Sequence, residues 1–313
     1  MRHREARSAA HVPQPPVVLA MVLCALVAAC GLVTTSPAPA SPTTAIPTAV
    51  PGTSPGTSPG TSPDVATTIH VYFGLGSTAG NPILAPVERP APTQQDTAVR
   101  ATTAIAALLA GPTEAELGAS PAMFTAIPAK SQGGAVQVDG AGAATVDLSD
   151  AFVEAEQEPA LRTALAQVVL TLTQFPEVTG VNVTINGAVL GQTDATGQQL
   201  DRPATRADYA DQLGPLFVDA PAWGATLRSP MHLAGLADVF EAQFRFRLLD
   251  AGGRSLADGQ LTASCGTGCL GTYGVDVPFT VTASTAGRLQ VFDLSEADGS
   301  MQDVVDYPVT PLP

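Results

Sequence analysis

The chain has 313 residues, 45% of them hydrophobic and only 13% charged, with 28 acidic against 14 basic side chains and a net charge of −14. That balance argues against a nucleic-acid binder, because phosphate contact needs clustered Lys and Arg, and Lys130 is the single lysine. The length allows two domains, whose cores must come mainly from Val, Leu, Ile and Ala, since aromatics make up 5%.

At the start, Arg2, Arg4 and Arg7 precede an uninterrupted apolar run of 13 residues, Val17–Ala29. At ~1.5 Å per residue the run spans ~20 Å, short of a ~30 Å hydrocarbon core. A basic start and a short apolar run ending in small residues predict a signal peptide over 1–29 rather than a membrane anchor. The ending Val27-Ala28-Ala29-Cys30-Gly31 resembles the bacterial lipobox. That resemblance implies that Cys30 is acylated and becomes the first residue of the mature protein, with Cys24 discarded. Two or three acyl chains anchor stably where one is marginal. The expected location is therefore the extracytoplasmic face of the cell membrane, held through lipid.

Residues 30–64 read as a tether, with three PGTS units starting at Pro51, Pro55 and Pro59. Proline removes backbone donors and favours polyproline II, so no packed core forms here. Fully extended at ~3.1 Å per residue, thirty residues reach ~90 Å. Gly52–Gly56 and Gly56–Gly60 fit G-x-S-x-G, but a nucleophile elbow needs a strand before its serine and a helix after it. Pro-Thr-Ser flanks supply neither.

A first folded domain is predicted over 66–195. Thr67–Phe73 alternates and reads as a strand, and Ile83–Arg89 as a second, placed at an edge by Pro86. Asp96 caps a helix to Leu109, with Ala98, Ala101, Ile105 and Leu108 on one face and Gly111-Pro112 as its stop. Strands follow at Ala135–Val138 and Ala143–Leu148. A helix opening near Pro159 carries Leu161, Leu165, Val168, Leu172 and Phe175 as a buried stripe, and Pro176 ends it. Val178–Ile185 is a strand, and Asn186-Gly187 a hairpin turn. The order is ββαββαββ, an α+β domain with helices packed on a mixed sheet.

Several blocks recur in the order of one family: Val71-Tyr72-Phe73, Pro86–Arg89, Leu108–Thr113, Ile127-Pro128, Val146–Ser149, Gln167–Phe175 and Ile185-Asn186-Gly187. Together they resemble the GerMN domain of sporulation and spore-germination proteins.

Three candidate sites lie in this domain. Gly74–Ala79 fits the dinucleotide pattern G-x-G-x-x-A, yet Gly80-Asn81-Pro82 follows where a helix must start, so a loop is expected. Ser149 lies between Asp147 and Asp150, an arrangement commoner in turns and caps than in nucleophiles. His70 has no second histidine near it in sequence, which argues against a metal site.

Residues 196–212 read as a polar connection with at most one short helix. A second domain, 213–313, shows about seven short strands: Leu216–Asp219, Met231–Ala237, Glu241–Leu249, Ser255–Thr262, Val275–Val281, Arg288–Leu294 and Met301–Tyr307. That spacing predicts a β-sandwich. Phe244, Phe246 and Leu248 alternate with Arg245 and Arg247. Val275, Val277, Phe279 and Val281 share a face, Pro278 marks an edge, and Asp250–Gly253 is a turn. Ser229-Pro230, Gly235-Leu236-Ala237, Val239-Phe240-Glu241, Leu249–Gly253, Phe279, Val291-Phe292, Ser295 and Asp298-Gly299 resemble the Gmad2 domain. That resemblance implies an immunoglobulin-like sandwich, which accompanies GerMN in bacterial surface lipoproteins.

Cys265 and Cys269, separated by Gly266-Thr267-Gly268, are predicted to form a disulfide, because oxidised pairs persist outside the cytosol. A metal there lacks ligands, since only His70 and His232 lie beyond Cys30. The 293–299 loop misses the oxygen spacing of a calcium loop and reads as a turn.

Hydrolysis needs a base beside a nucleophile, paired carboxylates or a metal, and none is evident. The expectation is a non-enzymatic surface lipoprotein without cofactor or metal, binding or supporting an envelope protein or a cell-wall component. Strand addition at a sheet edge suits such contact. The family resemblance leaves open regulation of a membrane sensor kinase, and a cell-wall hydrolase is the weakest alternative.

Overall fold

The computed structural model describes residues 68–76, 83–93, 96–154 and 158–313. The chain divides into two units at Gly60/Thr61, and everything below concerns the second. The expected signal peptide, Cys30, the expected tether and its G-x-S-x-G matches lie outside the described residues.

Strand β1 (Thr68–Leu75) pairs antiparallel along its whole length with β2 (Ile83–Pro90). The chain thus returns as a strand after Gly74–Ala79, where a dinucleotide site would need a helix. Gly74 itself is a strand residue, and a Cβ there would fall 2.2 Å from the Phe124 ring. Helix α1 (Thr97–Leu109) is capped by Asp96, whose carboxylate accepts from Val99 N at 2.9 Å. It buries Ala101, Ala104, Ile105 and Leu108, and Gly111 at φ +81° ends it. One helical turn, α2 (Glu114–Leu117), is closed by a capping box of Thr113 and Glu116. Short β3 (Met123–Phe124) adds to β1, giving the order β2-β1-β3.

A second sheet holds β4 (Gln137–Val138), β5 (Ala143–Leu148), β6 (Gly180–Ile185) and β7 (Ala188–Val189) in that order. β5 and β6 run parallel, joined across α3 (Glu158–Leu172), while the outer pairs are antiparallel. The β6–β7 turn has Asn186 and Gly187 at φ +47° and +83°, the mirror-image turn that Asn-Gly favours. The single mixed sheet expected from the sequence is therefore two sheets. Helix α3 also departs from expectation: residues 163–172 are buried all round rather than along one stripe. It packs on β1, α1 and β6, and the segment after β7 covers its remaining side.

That segment is not a loose connection. Residues 206–212 form a 3₁₀ turn that buries Tyr209 completely. Arg162 pairs with Asp211, and Thr163 Oγ1 donates to Gln212 Oε1 at 2.7 Å, tying the segment to α3.

The second region is a two-sheet sandwich. β8 (Leu216–Ala220), β10 (Met231–Ala237) and β13 (Gly271–Val277) form one sheet in the order β13-β10-β8. The other contains β9 (Thr226–Leu227), β11 (Gln243–Asp250), β12 (Ser255–Thr262), β14 (Gly287–Leu294) and β15 (Met301–Pro311), ordered β12-β11-β14-β15-β9. Phe244, Phe246 and Leu248 face the core, and each such burial contributes ~1.5–3 kcal/mol. β13 starts earlier than predicted and stops at Val277. Gly271 opens it because a Cβ there would sit 2.2 Å from the Cys265 carbonyl oxygen, and Pro278 cannot continue a ladder.

Candidate functional site

The polar face of α3 comes first, because it positions β1. β3 pairs with β1 only at Gly74 and Leu75, so the backbone of His70 and Tyr72 on that side needs other partners. Gln174 supplies them like a strand, accepting from His70 N at 2.7 Å and donating to its carbonyl at 2.6 Å. Thr171 Oγ1 accepts from Tyr72 N at 3.2 Å, and Gln167 donates to the Tyr72 carbonyl at 2.8 Å. The other end of the Gln167 amide accepts from Ala126 N at 2.8 Å. Residues 167 and 171 lie one turn apart on α3 and Gln174 sits in the turn just past its end, and all three complete a sheet edge.

The far side of β1 meets the sandwich. Tyr72, buried, stacks on Phe217 with centroids 6.4 Å apart and donates its hydroxyl to Asp219 Oδ1 at 2.5 Å. Arg206 donates to Asp219 Oδ2 at 3.0 Å, to the Tyr72 hydroxyl at 2.5 Å and to Thr173 Oγ1 at 3.1 Å. Its guanidinium lies over the Tyr72 ring, 5.0 Å from the centroid. Burial above all raises the Tyr72 hydroxyl well out of the physiological range, while Arg206 pulls the other way. The edge of β2 is closed from the same direction: Trp223 N donates to the Pro86 carbonyl at 2.8 Å, and Trp223 bridges Val87 in parallel. Pro86 does mark an edge, but the second region covers it.

Beside this network lies an open pocket of about 560 Å³. Arg206, Ala207 and Ala210 form one wall, and Ala234 and Leu236 of β10 with Leu270 form the other.

The side chains singled out in the sequence fall elsewhere and apart. Ser149 Oγ accepts from Gln132 N at 3.0 Å while its own N–H donates to the Gln132 carbonyl at 2.9 Å, so it ties together two segments 17 residues apart, next to the antiparallel bridge between Gly133 and Leu148. Asp147 accepts from Thr184 Oγ1 and Gly187 N, which lowers its carboxyl below the ordinary range. His70 is held below its usual pKa, chiefly by burial. His232 Nδ1 lies 2.8 Å from Asp276 Oδ1, its cross-strand neighbour on an exposed face. Cys265 and Cys269 are bonded, with Cα atoms 5.8 Å apart. Their loop is pinned by Gly268 N donating to Asp238 at 2.6 Å and Thr267 N to the Val239 carbonyl at 3.1 Å. The 293–299 loop is a turn, closed by Gly299 N on the Ser295 carbonyl at 2.8 Å. Among the described residues no group of His, Cys, Asp and Glu could hold a metal, and no helix is long and apolar enough to cross a membrane.

Two sheets with a buried crossover helix, followed by a β-sandwich, define a two-domain α+β and immunoglobulin-like class. Family models agree: the one described as sporulation and spore germination (Germane) matches residues 70–191, and the one described as the immunoglobulin-like domain of bacterial spore germination (Gmad2) matches 216–300. The chain carries a GerMN-type domain followed by a Gmad2 domain, and neither description is that of an enzyme family. Among solved structures, the first GerMN domain of the sporulation protein GerM from Bacillus subtilis is 22% identical, over 45% of this chain and 98% of that one, with a TM-score of 0.34. The tandem GerMN domains of the same protein are 17% identical, over 79% and 60%, with a TM-score of 0.36. A putative lipoprotein from Clostridium perfringens is 17% identical, over 43% and 87%, with a TM-score of 0.28. No curated protein matches.

Proposed function

We propose that this protein is a lipid-anchored, extracytoplasmic binding or scaffold module of the cell envelope that works without catalysis. In this reading Cys30 carries the lipid and residues 30–64 hold the folded part away from the bilayer. One observation carries it: the polar and nucleophilic side chains that could do chemistry are spent on structure. Ser149 ties its segment to Gln132, Asp147 braces the β6–β7 turn, Gln167, Thr171 and Gln174 complete β1, and Tyr72, Arg206 and Asp219 join two germination-family domains. The partner is an envelope protein or a cell-wall component, met on surfaces that the joined pair presents together.

The test combines intact mass, detergent-phase partitioning and proximity crosslinking on living cells. Cys30→Ala should leave an unlipidated, mislocalised precursor and abolish the crosslinks. A mature wild-type protein without added lipid mass removes the anchor from this reading. A Ser149→Ala, His70→Ala or His232→Ala variant that stays folded and localised yet loses the phenotype overturns the non-catalytic part.

A further inference from the structure

The pocket between residues 206–210 and the outer face of β10 belongs to neither family match alone, since its first wall falls between residues 191 and 216. Its size, about 560 Å³, sits inside the ~300–1,000 Å³ range of small-molecule sites. Small residues keep it open. Ala207, Ala210 and Ala234 line it, and register places Gly274 opposite Ala234. Even an added Cβ at Gly274 would meet nothing nearer than 3.9 Å. Leu236 and Leu270 add apolar wall beside Thr272 and Tyr273, and the bond between Cys265 and Cys269 holds the loop that leads into Leu270.

The polar end is defined by one ion pair. Arg206 uses Nε on Thr173, both Nη2 hydrogens on Tyr72 and Leu170, and one Nη1 hydrogen on Asp219. Of five N–H donors, one is left without a partner among the described residues. Asp219 accepts from Tyr72 and Arg206, and its side chain remains 35% exposed, so lone pairs are also left. A ligand head here meets one donor and one acceptor whose charges cancel. A net charge on the ligand would be attracted by one member of the pair and repelled by the other, and the chain's charge of −14 opposes an anion further.

We propose that this pocket binds a small neutral amphiphile, with an aliphatic body against the alanine and leucine walls and an amide or hydroxyl head on Arg206 and Asp219. The site goes beyond the scaffold reading and does not depend on it.

The test titrates the Thr61–Pro313 unit, which contains every buried residue described, with octanamide, octanoate and octylammonium. Alanine-methyl NMR is the readout. Octanamide should give saturable shifts at Ala207, Ala210 and Ala234, and the two ions should bind about tenfold more weakly, since each leaves a charge imperfectly compensated. Ala234→Leu and Ala207→Leu should each fill the space and abolish the shifts, with the unfolding midpoint checked in parallel. If either variant fails to fold, the wild-type shift map decides the location. Absence of saturation with all three compounds overturns the proposal. So do shifts that map elsewhere and survive both substitutions, or octanoate binding most tightly.

Discussion

Arg206→Met removes the guanidinium at the junction but keeps an unbranched stem over Tyr72. The substitution deletes the donors to Asp219, Tyr72, Thr173 and the Leu170 carbonyl, leaving the Asp219 carboxylate with the Tyr72 hydroxyl at 2.5 Å. Removing one partner of a buried pair costs ~3–5 kcal/mol. Here the Arg206 and Asp219 side chains are 23% and 35% exposed. Water therefore recovers part of that loss, and about 2–3 kcal/mol is expected. The single tryptophan, Trp223, sits on the Pro86 carbonyl at the same junction, so its fluorescence reports separation of the two regions. Urea unfolding of the wild type should give coincident fluorescence and far-UV circular dichroism transitions. In Arg206→Met the fluorescence transition should move to lower urea by more than the dichroism does. A double-mutant cycle with Asp219→Asn should return a coupling of about 1–2 kcal/mol. Coupling below about 0.5 kcal/mol, or transitions that stay coincident and unshifted, would refute the junction as an energetic link.

Gln167→Ala strands the buried Tyr72 carbonyl and Ala126 N–H, and should cost about 2–6 kcal/mol in urea unfolding at ~1–3 per unsatisfied group; a loss under about 1 kcal/mol contradicts the edge-completing role of α3. Asp208 is held down to about 2 from 3.8, first by the Arg202 guanidinium. Its folded pKa is depressed, so its contribution is fully present above about pH 4 and is lost as pH falls towards 2, up to about 2 kcal/mol in all; Asp208→Asn should flatten stability across that window in acid titrations followed by dichroism. Cys265→Ser should cost no more than about 2 kcal/mol by thermal unfolding, because a five-residue loop restricts the unfolded chain little; a larger loss means that the bond holds more than its own loop.

What could be read in advance was local. Asp96 with Ala101, Ile105 and Leu108 lies within four turns, so α1 shows its cap and face at once, and the Asn186-Gly187 turn and the close cysteine pair are equally short-range. The burial of α3 was not readable as a stripe, because Gln167, Thr171 and Gln174 look like a solvent face until β1 is known to lack a partner there. A signal existed: Gln167, Thr171 and Gln174 recur at i, i+4 and i+7 in a stretch that is otherwise apolar apart from Thr173. β13 slipped because its apolar alternation runs past Pro278, while its start depends on backbone contact between Gly271 and Cys265. The junction had no local trace, since Tyr72 and Asp219 are 147 positions apart and Arg206 falls in a stretch whose composition reads as polar spacer. The pocket follows from that junction and was invisible for the same reason.

The pairing of β1 with α3 also sets a timetable. His70 and Gln174 are separated by 104 positions, and at ~5–20 residues per second the ribosome needs about 5–20 s to deliver the second after the first. Throughout that interval one side of the opening strand has its N–H and C=O groups without their native acceptors and donors, next to side chains as apolar as Val71 and Phe73. An unpaired apolar edge of that kind recruits other chains, so the nascent polypeptide is most open to misassembly before α3 emerges. A holdase that covers the first hundred folded-domain residues until α3 is available would therefore raise the yield of this protein.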